Sequence, residues 1–119
     1  MDKINIAQKF GLFNDYWSPK IVGELNDSVI KFVKVKGEFV WHHHAEEDEA
    51  FFVLKGGFRM AFRDKIVELN EGEMQIVPRG VEHKPVADEE AWVMLFEPAT
   101  TLNTGNVVNE RTKAELEKI

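Results

Sequence analysis

The chain has 119 residues, 21 acidic against 15 basic side chains, a formal net charge of −6, 44% hydrophobic residues and no cysteine. This fits one globular unit with a modest core and excludes a disulfide framework, a thiolate metal site and a cysteine nucleophile. The acidic balance disfavours nucleic acid, no apolar run reaches the ~18 residues of a membrane span, and MDKINIAQKF carries no secretion signal, so a cytoplasmic protein is expected.

Residues 1–18 form an arm bearing Phe10, Leu12, Phe13, Tyr16 and Trp17. These are too many large apolar groups for a free tail, and a partner subunit is one surface the arm could meet. Strands are predicted at 20–25, closed by the Asn26-Asp27 turn, and at 29–35, where VIKFVKV is β-branched and loosely alternating. After Gly37 the next extended piece is 38–44. Residues 50–54 run into Lys55-Gly56-Gly57, a hairpin signal, and 58–62 alternates Phe58, Met60 and Phe62 against Arg59 and Ala61. Further strands are predicted at 66–69, 74–77, 81–86 and 91–97, with turns at 63–65, 70–72, 78–80 and 87–90. Residues 98–119 form a tail, of which 109–118 reads as one or two turns of helix. Eight or nine short strands without intervening helices argue for an all-β sandwich or barrel.

Three of the four histidines are consecutive, in WHHHAEEDEAFFVLKGG from Trp41. In an extended segment His42 and His44 face one way and His43 the other, about 7 Å separating the first two at ~3.3 Å rise per residue. Glu49 opens the next strand on the face of Phe51 and Val53, where a carboxylate needs a partner. On residue pattern alone a solvated loop and a ligand set stand level. The acidic run Glu46, Glu47, Asp48 reads as a solvated turn. His83 is the remaining histidine, and periodicity does not say that it meets the others. Three imidazoles and a carboxylate would suit a first-row divalent metal: iron, manganese, zinc, nickel or copper.

Two spaced motifs carry a resemblance. Gly37 is followed by four residues, His42-His43-His44, four residues, Glu49, six residues and Gly56; Gly72 is followed by EMQIV, Pro78-Arg79-Gly80, two residues and His83. The chain resembles a small single-domain cupin of the cupin 2 type, with motifs at 37–56 and 72–83 inside one domain spanning 1–119. Gly37 stands one residue nearer the histidines than in the family pattern, and Ala87 replaces a frequent Asn. The resemblance implies a double-stranded β-helix, or jelly-roll barrel. It also implies a divalent transition metal held by His42, His44, Glu49 and His83, with His43 a bystander, and a homodimer.

The fold alone does not choose a chemistry. The expected function is a metal-dependent enzyme in the isomerase or dioxygenase range acting on a small oxygen-rich metabolite. The alternative is a non-catalytic metal or small-ligand binding module, and a third reading is a silent barrel serving assembly. Candidate walls by face parity are Phe51, Phe58, Met60, Phe62, Met74, Ile76, Trp92, Met94 and Phe96. No second catalytic group is evident; Glu38, Gln75, Arg59 and Glu82 are candidates, but such residues are more often found on the surface. No phosphate-binding cluster stands out among Arg59, Arg63, Lys65 and Arg79.

Overall fold

The computed structural model describes residues 1–119, which form one short helix and seven strands: α1 (Ile6–Phe10), β1 (Lys20–Leu25), β2 (Ser28–Glu38), β3 (Glu49–Lys55), β4 (Gly57–Ala61), β5 (Ile66–Asn70), β6 (Met74–Val77) and β7 (Lys84–Pro98). The all-β, cupin-type expectation holds. The sheet runs β1-β2-β7-β3-β6, and the β4–β5 hairpin joins it through β7. No helix is long and apolar enough to cross a membrane.

β7 organises the barrel. It pairs with β2 from Ser28↔Pro98 to Glu38↔Val86, with β3 along its second half and with β4 along its first. The predicted turn at 87–90 is therefore a bend inside one strand. Ala87 and Ala91 are buried, Asp88, Glu89 and Glu90 are exposed, and the register slips between Val35↔Ala91 and Gly37↔Ala87. A bulge bends the strand pair at this corner, and Gly37, at φ 82°, adopts the left-handed backbone that the bend requires of β2. The acidic run lies on the outside of the bend, which is why it reads as a turn.

Two other expectations change. Residues 38–44 are not a strand: β2 ends at Glu38, and His42 makes only an isolated bridge with His83. Residues 109–118 form no helix. There the Asn103 side chain donates to Arg111 O (2.8 Å) and accepts from Lys113 N (2.8 Å), while Asn109 Oδ1 accepts from Arg111 N (2.8 Å). Such side-chain bonds compete with helical ones and favour turns. The end of the chain instead lies along β1, with Glu117 O accepting from Ile21 N and Ile21 O from Ile119 N.

The amino-terminal arm packs on its own barrel. Asn5 caps α1 by accepting from Gln8 N (2.9 Å), and the helix delivers Phe10 between Phe32 and Trp92, stacked at 4.8 and 4.6 Å. Phe10, Phe13 and Phe32 make a small second core, while the main core fills the barrel with residues that include Val33, Val35, Phe51, Val53, Phe58, Met60, Val93 and Leu95. Phe10 and Phe13 are thus covered within the chain, while Leu12 and Tyr16 remain exposed.

Candidate metal centre

Three elements bring the four sequence candidates together. Glu49 is the first residue of β3, His83 immediately precedes β7, and His42 and His44 lie in the irregular segment after β2. One ligating atom from each of His42, His44, Glu49 and His83 can be chosen so that all lie within 4.8 Å of one another. All four residues are buried, His83 completely. His43 is half-buried and stands outside the group.

The hydrogen bonding leaves the inward atoms free. His42 Nδ1 and His83 Nδ1 each lie 2.9 Å from a backbone carbonyl two residues earlier, Val40 O and Val81 O. A proton on each Nδ1 satisfies that carbonyl and leaves Nε2 with a lone pair, the arrangement that orients ligating imidazoles. Glu49 Oε1 lies 3.2 Å from His44 Nε2 and 3.6 Å from His83 Nε2, yet neither approach makes a hydrogen bond. Both nitrogens of His44, Nε2 of His83 and Oε1 of Glu49 are thus buried without partners. Unpartnered buried polar atoms are costly, and a cation in their midst would satisfy three imidazoles and a carboxylate at once. The donor set fits a divalent transition metal.

The local electrostatics agree with that fit. Burial, and next the neighbouring His83, lower the His42 imidazole to about 4, keeping it in the neutral form that ligates. Burial pushes the Glu49 carboxyl up, but the adjacent His44 and His83 outweigh it and hold the group well below the ordinary carboxylate range.

A cavity of about 50 Å³ adjoins the centre, lined by His42 and Glu49, by Val33, Val35, Phe51, Phe58, Val93 and Leu95, and by Trp17, Pro19, Phe39 and Pro85. At roughly 10–15 Å³ per water position, this is room for about three to five waters. Among the predicted walls only Phe51 and Phe58 line it. Met74, Ile76 and Phe96 are exposed, and Trp92 and Met94 pack against the second core. The inward face of β7 is Ala91, Val93, Leu95 and Glu97, and choosing the bulkier alternate residues inverted its parity.

Two polar groups in the cavity escaped the sequence reading, Glu97 and Asn103. Glu97 is buried, bonded to an equally buried Lys31 at 3.0 Å, and its Oε2 is unpartnered. Burial and then the Glu49 carboxylate push the Glu97 carboxyl well above its usual range, against the pull of Lys31. The signal was present: Lys31 shares parity with Val29 and Val33, and Glu97 with Val93 and Leu95. The proposed second groups lie elsewhere. Arg59 bonds Asp88, Glu82 bonds Arg63, Glu38 bonds Lys84, and Gln75 does not line the cavity.

A cupin-2 domain containing protein from Shewanella frigidimarina is 54% identical in sequence, with a TM-score of 0.79 over 80% of this chain and 93% of its own. Protein NMB1881 from Neisseria meningitidis is 29% identical with a TM-score of 0.76, over 82% of this chain and all of its own. The uncharacterized protein YdbB of Bacillus subtilis is 34% identical over 64 residues, which span 53% of this chain and 57% of that protein. The cupin domain family matches residues 30–97, the stretch that holds both motifs and nearly all of β2 to β7. With that match over more than half its length, the chain belongs to the cupin family.

Proposed function

We propose that His42, His44, Glu49 and His83 ligate one divalent transition metal, and that the protein is a metal-dependent enzyme of the isomerase or dioxygenase range. The observation that carries this reading is the convergence of four buried side chains, three of which, His44, Glu49 and His83, hold buried inward atoms without partners. Such a metal supplies Lewis acidity toward a carbonyl or carboxylate or, if iron or copper, a site for dioxygen. The protein's part is to fix the imidazole tautomers through Val40 O and Val81 O and to keep bulk water from the reacting groups with an apolar wall.

The substrate class follows from the lining. Oxygen donors would face the metal end, while the rest of the molecule lies against Phe51, Phe58, Trp17 and Phe39. The cavity lining includes no lysine or arginine. Arg59, Arg63 and Arg79 are paired with Asp88, Glu82 and Asp48. This argues against a phosphorylated sugar and for a small, uncharged or carboxylate-bearing metabolite.

One observation favours the second reading, a non-catalytic binding module. Apart from the proposed ligands, Glu97 is the only ionisable group in the lining, and it is bonded to Lys31. Elemental analysis of untagged protein purified without chelators or nickel resin separates the cases. About one equivalent of a single metal supports the centre, and turnover by the loaded protein then divides enzyme from binding module. A protein that refuses added iron, manganese and zinc would end both.

For the homodimer, the surface a second copy would cover is the outer sheet face carrying Phe52, Met74, Ile76, Met94 and Phe96, not the amino-terminal arm. An antiparallel sheet that faces water on one side normally presents polar residues there.

A further inference from the structure

The segment His42 to His44 lies outside every strand, yet each of its residues is pinned by a different element. His42 exchanges both backbone bonds with His83, His42 N to His83 O at 3.1 Å and His83 N to His42 O at 2.9 Å. His44 O accepts from Gly80 N (2.8 Å) in the turn of the second motif. His43 is held by the carboxy-terminal tail. Its N–H donates to Asn106 Oδ1 (2.9 Å), and its carbonyl accepts from Asn106 N (3.1 Å). One asparagine therefore supplies both halves of a strand-like pairing.

Gly105 brings the tail this close. It sits at φ 55°, and a Cβ there would collide with the His43 carbonyl oxygen and lie 3.2 Å from His42 Cδ2. The loop behind it is fixed. Thr104 is fully buried with its hydroxyl 2.7 Å from that of Thr112, which in turn accepts from Asn109 N (3.0 Å). This tail lies beyond the matched family region, residues 30–97.

We propose that Asn106 is a positioning residue for the metal centre. Through the His43 backbone it holds His42 and His44 at their ligating separation, so that the tail sets how long a metal stays bound. The bystander side chain of His43 thus sits on the backbone unit that anchors both neighbours. The inference rests on the four-ligand reading above. Partners of ligands typically change metal affinity by about 10–100-fold when removed.

The test loads the untagged full chain with Co²⁺ and records its visible ligand-field spectrum and its release rate into excess EDTA. Asn106→Ala should release Co²⁺ about 10–100 times faster than wild type, with an altered spectrum. Asn106→Asp, which retains an acceptor for His43 N, should restore slow release. Asn109→Ala is the control, because it breaks the tail's Arg111 N bond without touching His43. Unchanged release from Asn106→Ala, or equal acceleration in Asn106→Ala and Asn109→Ala, overturns the positioning role. Should Asn106→Ala not fold, Asn106→Ser, whose shorter side chain cannot span the same distance, replaces it under the same criteria. A wild type that takes up no Co²⁺ overturns the four-ligand reading itself, and is distinguishable from unaltered release.

Discussion

Lys31 Nζ lies 3.0 Å from Glu97 Oε1 inside the barrel, each side chain only 2% exposed. Lys31 also donates to Thr101 O (3.4 Å), so the pair ties β2, β7 and the start of the tail together. Removing one partner of a buried pair leaves an uncompensated charge, at a cost of roughly 3–5 kcal/mol, whereas replacing both with apolar groups of similar volume is often close to neutral. Glu97→Ala should therefore destabilise the metal-free protein by about that amount in urea unfolding. The double variant Lys31→Met, Glu97→Leu should recover most of the loss. A Glu97→Ala cost below about 1 kcal/mol would mean that Lys31 finds water or another partner there.

The histidine run makes a sharper claim. His42→Ala, His44→Ala and His83→Ala each remove one of the converging imidazoles, and each should lose bound metal in elemental analysis after dialysis. His43→Ala should keep it, because His43 lies outside the group and its anchoring bonds are made by the backbone. Equal metal content in all four variants would remove the site assignment.

What the sequence made legible was what has a strict period or a strict spacing. The strands at 20–25 and 74–77 have the observed bounds, and those at 29–35, 50–54, 58–62 and 66–69 lie within a few residues, because alternation and turn residues are local signals. Residues 38–44 form no strand, and 81–86 and 91–97 merge into the single strand β7. The four candidate ligands were identified because the spacing around Gly56, Pro78 and Gly80 matches a family pattern. Missed features depend on contacts distant in sequence. Asp88, Glu89 and Glu90 look like a turn unless Gly37 is known to oppose them. The face parity of β7 has no local marker, because what makes the Trp92 side the outside is the stacking of Phe10, more than eighty residues away in sequence, on that ring. The pairing of Asn106 with His43 has no local signature.

The arm gives a stability prediction. Phe10 is fully buried between Phe32 and Trp92, and loss of a buried aromatic to alanine costs about 3–5 kcal/mol. Because these contacts lie within one chain, Phe10→Ala should lower the denaturation midpoint by the same amount at all protein concentrations. A loss that disappears on dilution would show instead that the arm's docking depends on a second subunit.

The outer face of the sheet carries the last prediction. Strand register aligns Ile30, Phe96, Ala50 and Ile76 in one row across β2, β7, β3 and β6, and Phe32, Met94, Phe52 and Met74 in the next. The arm covers the Phe32 end, but Ile76 is 59% exposed and Met74 46% exposed, side by side with Phe52 and Ala50 on an edge strand. Contiguous apolar surface beside an unpaired strand edge invites association, and a two-fold axis through this face would cover both copies with the same residues. Light scattering should therefore find two chains per particle for wild type and one for Ile76→Lys. The variant should retain its metal, because β6 supplies none of the four candidate ligands. A wild type that is monomeric at every concentration would remove the homodimer, and a dimeric Ile76→Lys would move the interface elsewhere.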